Sequence, residues 1–579
     1  MRQHNQLLIA PLLALATLSA QPNPADEPPE PAEIHGTVHS ITGEPIARAT
    51  VRIPLARLGA APPPPVSTDP SGNFVIGNLA PGTYSVTAER PGYLPQAYGA
   101  RAPNAMNTGG TRLQLVAGQV MKGIDIAMTP QAVITGSVAD VNGDPIQDDS
   151  VTAYTLSWVG SRHRLVSAGN AKTNDEGNYR ISGLPAGSYW VSANPHLTIL
   201  AGNPGNSDSQ PVGDIQTFYP NAEEPQRGTP VTVHPGDEAR AIDIQLIRRR
   251  MYSISGTVQG KSVPRNTAVR ANRLDGEGAP IPYTISMRLA PGATEFHMRG
   301  LAPGRYRVES FPINTPPGQG TPVFIWETFT INDSDIEGAV LHIRDAFSVS
   351  GTVKLEGGDL AGLVPEPPLP SPKGPTRPVA STGPAISMFP DDPGIATGSI
   401  VPVQPDGSFE TATLYTRQYR VRTARFPAGT YIKQINFNGQ DITHSLMDLS
   451  SGGGGQLDIT LSTQGADISG VVHDEDGVPI TGADVILWPK VQDPDRIARE
   501  AVTATADQNG VFQMTSLAPG DYYLIAIEAP DPGIRQSPDF LAQLSSPAEE
   551  IEISEGAHLA MQLEMLSPEA LARAMENMP

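Results

Sequence analysis

The chain has 579 residues, of which 57 are glycine and 59 proline, with 39% hydrophobic and 6% aromatic residues. That balance describes short strands joined by many turns in about four or five domains, and it excludes a disordered polyelectrolyte. A net charge of -21 repels phosphate backbones and anionic headgroups, arguing against nucleic-acid and membrane-surface roles, and the absence of cysteine removes disulfides, thiolate metal sites and a cysteine nucleophile.

The first segment, residues 1–20, reads as a signal helix. Arg2 precedes an apolar run from Leu7 to Leu18, and small residues Ser19 and Ala20 follow. The run is too short to span a membrane, and no other segment approaches twenty apolar residues, so the mature chain is expected to lack a transmembrane segment. Cleavage is expected near Ala20. A Pro-rich acidic linker occupies 21–32.

Five copies of one pattern then follow. Each opens with a strand of the form I/V-x-G-x-V: Ile34-x-Gly36-x-Val38, Ile134-x-Gly136-x-Val138, Ile254-x-Gly256-x-Val258, Val349-x-Gly351-x-Val353 and Ile468-x-Gly470-x-Val472. A polar hairpin turn leads into an aromatic residue, as in Asp69-Pro-Ser-Gly-Asn-Phe74, Asn174-Asp-Glu-Gly-Asn-Tyr179 and Asp507-Gln-Asn-Gly-Val-Phe512. Next comes Leu-x-x-Gly-x-Tyr, ending at Tyr84, Tyr189, Tyr306 and Tyr522, with a degenerate copy at Tyr419. Its central Pro-Gly suits a type II turn. A closing strand such as Ile124-Asp-Ile126 completes the unit. A period of about a hundred residues is the size of an independent domain rather than of a solenoid unit.

The expected fold is therefore all-β: a tandem array of about five β-sandwiches. They span 33–130, 131–250, 251–345, 346–464 (with a Pro-rich insertion near 365–378) and 465–566. A short helix closes the chain in 567–579, capped by Ser567, with Pro568 in its first position and Glu569 at its N-terminal dipole.

The combination G-x-V, G-x-P-I, D-x-x-G-x-F and L-x-P-G-x-Y-x-V resembles the carboxypeptidase regulatory-like domain, a transthyretin-like (prealbumin-like), Ig-like sandwich. The resemblance extends over nearly the whole mature chain. The domains at 33–130, 131–250 and 465–566 match best. The third lacks a clear D-x-x-G hairpin and the fourth a clean L-x-P-G. The resemblance implies a fold and not an activity: similar domains decorate peptidases, polysaccharide-binding proteins and outer-membrane receptors.

The patterns of catalysis are missing from the sequence. There is no H-x-x-E or H-E-x-x-H for zinc and no G-x-S-x-G elbow, and Gly452–Gly455 lacks the Lys-Ser/Thr of a phosphate loop. No cofactor, metal or enzymatic activity is expected. The acidic turns Asn174–Glu176 and Asp474–Gly477 are read as hairpin turns rather than calcium loops, since neither has the D-x-D-x-D-G spacing. The binding hint is aromatic. Strand alternation turns Tyr154, Trp158 and Trp190 in the second domain, and Trp488 and Tyr523 in the fifth, away from the sandwich core. Outward rings of this kind could stack on sugars.

The expected function is an exported, non-catalytic recognition or scaffold array, periplasmic or at the cell surface, built as a semi-rigid rod. The alternatives are polysaccharide binding through the outward rings, or an accessory subunit of a secreted peptidase or outer-membrane transporter. The partners expected are a polysaccharide or a cell-envelope protein, and not nucleic acid.

Overall fold

A computed structural model describes residues 30–53, 62–100, 110–159, 162–195, 211–260, 267–276, 278–312, 325–344, 347–364, 383–391, 399–411, 414–528 and 532–576. The signal segment 1–20, most of the 21–32 linker and the Pro-rich insertion at 365–378 lie outside the described residues.

The chain is a tandem series of β-sandwiches with five separate cores. In each, the opening strand sits in the middle of one sheet. These strands are Ala32–Ser40, Ala132–Ala139, Tyr252–Gln259, Val349–Glu356 and Ala466–His473. On one side each pairs antiparallel with the hairpin strand (Asn73–Leu79 in the first domain), and on the other it runs parallel to the closing strand (Val120–Met128). The second sheet of each domain packs across the core, in the first domain around Thr50–Arg52 and Thr87–Glu89.

The register explains the recurring glycine and aromatic. Gly36 faces Phe74, Gly136 faces Tyr179, Gly256 faces Phe296, Gly351 faces Phe409 and Gly470 faces Phe512. A Cβ at these glycines would lie 1.8–2.3 Å from a carbonyl oxygen of the closing segment (Ile124, Ile242, Ala339, Leu457 and Met561). Only glycine permits so close a backbone approach, and the cross-strand ring covers the surface that glycine leaves bare.

The tyrosine after the second turn also has a repeated role. Its hydroxyl donates to a carbonyl four residues upstream: Tyr84 to Ala80, Tyr189 to Pro185, Tyr306 to Ala302 and Tyr522 to Ala518, at 2.7–3.0 Å. Tyr419 of the degenerate copy instead accepts from the Tyr415 amide. This tyrosine corner replaces the expected type II turn. Gly187, Gly304 and Gly520 have φ of 159°, 151° and 152°, far from the +80° of a type II third residue. In the third domain the hairpin missing from the sequence pattern is made by Ala290–Ala293, with the Ala293 amide bonded to the Ala290 carbonyl.

Two domains carry additions. The fourth extends its first sheet with Tyr431–Phe437, which pairs antiparallel with the closing strand Gly455–Ser462. The fifth gains a third layer. Helices Pro494–Glu500, Pro538–Leu544 and Pro568–Glu576 cover the outer face of its second sheet, burying Ile486, Trp488, Ile525 and Ile527. The last helix has the expected cap: the Ala570 amide donates to the Ser567 hydroxyl and the Leu571 amide to the Ser567 carbonyl. Among the described residues no helix is long and apolar enough to cross a membrane.

The extended rod is not what forms. The 3-10 turn Pro532–Gln536 of the fifth domain lies against strand Ser150–Val159 of the second. At Gly482, also in the fifth domain, an added Cβ would meet the Gly99 carbonyl of the first at 2.0 Å. The array therefore turns back until its last domain touches its first two.

Candidate functional site

Of the five aromatic residues expected to bind ligands, Tyr154, Trp190, Trp488 and Tyr523 lie on the predicted face of their sheets, but Tyr154 and Trp488 are buried and Trp190 and Tyr523 half-buried. Tyr154 and Trp190 are cross-strand partners, as are Trp488 and Tyr523. Tyr154 is only 3% exposed. It packs 6.4 Å from the Phe218 ring and donates to the Pro282 carbonyl of the third domain. Half-buried Trp190 joins the same cluster, with Ala222 and Ile281. Trp488 is 1% exposed beneath the helices of the fifth domain, 5.5 Å from Tyr523, whose other neighbour is the Lys490 ammonium. Of Trp158 only the backbone is described, at the tip of its hairpin. The outward exposure expected of Tyr154 and Trp488 is thus corrected. Alternation in a strand decides which face a ring occupies, and large apolar faces are then buried by whatever segment can reach them. In this arrangement Tyr154 and Trp488 have no open face for a sugar.

The acidic turns direct their oxygens to the backbone. Asp474 accepts from the amides of Asp476 and Val478, and Asn174 from those of Glu176 and Asn178. Asp69, Asp140 and Asp507 repeat the arrangement. Among the described residues no group of three or more His, Asp and Glu is placed to hold a metal ion.

Most ion pairs lie within single domains, but polar side chains also tie neighbouring domains together at the junctions. Between the second and third, Glu223 holds Arg249 and Arg273. Between the third and fourth, the Trp326 ring is stacked between the guanidinium groups of Arg307 at 4.3 Å and Arg417 at 4.1 Å. Arg307 is anchored by Glu309, which is fully buried and also accepts from Arg270 and Asn272. Burial pushes the Glu309 carboxyl above the usual range, against the pull of the two arginines.

The fourth and fifth domains meet around a cleft of about 370 Å³. One wall is strand Gln418–Ala424 with the added strand Tyr431–Phe437, and the other is built from Leu487, Val502, Leu517 and Tyr522 of the fifth domain. The margins are tied together. Tyr431 and Ser462 donate to the Glu555 carboxylate, the Gly429 amide to the Ser516 hydroxyl, and Arg499 to the His444 carbonyl. Burial pushes the Tyr522 phenol up to about 12, so it stays protonated. Arg420 is paired with Asp391 and Arg499 with Asp493. The cleft was not foreseen from sequence. Its one readable trace is the alternation that turns Arg420 and Arg422 outward while Tyr419 and Val421 turn toward the core.

Comparison with known proteins agrees with the domain type. Residues 33–129 match the model of the carboxypeptidase regulatory-like domain, so the first sandwich is of that family. No curated protein is significantly similar in sequence. Solved structures with detectable likeness include the Bacillus anthracis TIE protein, at 14% identity and TM-score 0.15, covering 55% of this chain and 51% of that one. A streptococcal ancillary pilin has 11% identity and TM-score 0.17, covering 55% of this chain and 100% of its own. The major pilin subunit BcpA of Bacillus cereus has 11% identity and TM-score 0.13, covering 75% and 99%. The chain thus spans about half the length of the TIE protein.

Proposed function

We propose that this chain is an exported, non-catalytic scaffold, periplasmic or at the cell surface, whose work is to hold several sandwich surfaces in fixed relation. The observation that carries the reading is where the polar side chains are used. At three successive junctions a polar side chain of one domain is bonded to a side chain of the next: Arg273 to Glu223, Arg417 to Trp326 and Tyr431 to Glu555. Such bonds orient domains and hold no reacting group. The apolar start of the sequence supports export, and the accessory character of the domain family supports a role without chemistry. Surfaces fixed in this way can engage a large partner at several points, which gains by avidity when the spacing fits.

The test is binding of the mature chain to the cells that produce it, beside a panel of polysaccharides, peptides and glycan substrates. Saturable cell binding with no turnover of any substrate supports the scaffold. Turnover by the purified chain would overturn it.

A further inference from the structure

The cleft between the fourth and fifth domains contains a cation that the fold does not use. Arg422 lines it and has no ion-pair or hydrogen-bond partner for its guanidinium among the described residues, whereas neighbouring Arg420 and Arg499 each have a carboxylate. In a chain with 60 acidic and 39 basic residues, most arginines find a carboxylate easily. This one instead sits beside a second arginine, and the enclosing walls together with Arg420 hold its pKa below the usual arginine value. Arg422 is exposed on the cleft wall, so its guanidinium is open to a ligand, and an anion there would relieve the repulsion from Arg420.

The rest of the wall suits a small polar body. The Ser516 hydroxyl accepts from the Gly429 amide, which leaves its own proton to donate. Val421, Ile432 and Leu487 supply apolar patches. A volume of about 370 Å³ lies at the lower end of the range for small-molecule sites, roughly 300–1,000 Å³. Arginine presents a planar fork of donors that matches a carboxylate or phosphate in two parallel hydrogen bonds.

We propose that this cleft binds a small polar molecule bearing a carboxylate or phosphate, with the oxyanion on Arg422 and the body against the Ser516 hydroxyl. This goes beyond the scaffold role, which needs no small ligand, and either can fail without the other.

The experiment is calorimetric titration of the full chain at fixed ionic strength with galacturonate, glucose 6-phosphate, inorganic phosphate and neutral galactose. Saturable binding of galacturonate or glucose 6-phosphate is expected, at least tenfold tighter than galactose. The preferred probe identifies the oxyanion. Arg422→Leu should weaken that binding at least tenfold and Arg422→Lys less, because lysine keeps the charge but not the fork. Arg180→Leu, which removes the same charge from the surface of the second domain, should leave it unchanged. Absence of saturable binding by the anionic probes overturns the proposal, as does equal loss in Arg180→Leu. Equal affinity for inorganic phosphate and glucose 6-phosphate overturns the part assigned to the Ser516 hydroxyl.

Discussion

A pocket at the junction of the second and third domains, lined by Ile215, Met251 and Ala302, encloses about 30 Å³, whereas the cleft between the fourth and fifth encloses about 370 Å³. Both junctions use the outer face of a sandwich sheet, and the residues on those faces account for the difference. The second domain presents Tyr154, Trp190 and Phe218, which close onto Ile281 of the third, and Ile215 closes onto Met251 and Ala302. Each square ångström of apolar surface withdrawn from water returns about 25 cal/mol, so such a face collapses onto its neighbour. The fourth domain presents Arg420 and Arg422, and stripping water from a cation costs several kcal/mol unless a partner replaces it. The neighbouring domain therefore stands off. The side chains on one outward strand decide whether two identical folds meet dry or leave a cleft.

The comparison breaks most readily at the dry junction. Phe218 is fully buried, and Phe218→Ala should cost about 3–5 kcal/mol through lost burial and the void left behind. Chemical denaturation would read this as a lower midpoint. A change under about 1 kcal/mol would mean that the cluster around Phe218 is not packed as described.

At the cleft the corresponding change should be smaller. Tyr431→Phe removes one hydrogen bond to the Glu555 carboxylate and leaves the ring in place, an expected loss of about 1–2 kcal/mol. A double-mutant cycle with Glu555→Gln isolates that bond, and a coupling energy of zero would show that it contributes nothing.

The smallest effect is that of pH. The Ser462 and Tyr431 hydroxyls lower the Glu555 carboxyl below its ordinary 4.5, and the Lys433 ammonium does the same to Glu356. A carboxyl depressed by folding adds stability above its unfolded value, and that stability is lost as pH falls through the lower folded value. The melting temperature should thus fall below pH 4.5, and fall less in Glu555→Gln. Identical profiles for the two chains would remove this carboxylate from the account.

Much of the fold was legible because it is written five times. The I/V-x-G-x-V strand and the aromatic after the hairpin are local patterns with one physical solution each, and the register pairs Gly36 with Phe74 just as it pairs Gly470 with Phe512. What covers an outward face is not local. Tyr154 needs Ile281, more than a hundred residues away, and Trp488 needs helices that alternation does not announce. Those helices did leave a trace. Asp493-Pro494 and Ser537-Pro538 repeat the cap-and-proline signal of Ser567-Pro568, but each begins a helix of only seven residues, too short for an apolar period to stand out. The cleft was hidden for the same reason as the buried rings, since it exists only where two domains meet.

The parallel pairing of first and last strands has a mechanical consequence. Because they lie side by side and run the same way, the chain enters a domain at one end of a sheet and leaves at the other. Tension on the two termini, once the fifth domain has been pulled off the first two, loads that ladder in shear, and its bonds must fail together rather than unzip singly. The second domain is the weak link. Its closing segment is split, pairing at Val133 and Ile134 and again at Val138 and Ala139, whereas the fifth domain pairs without a break from Asp467 to His473. Stretched between its ends in a force spectrometer, the array should yield first in its second domain.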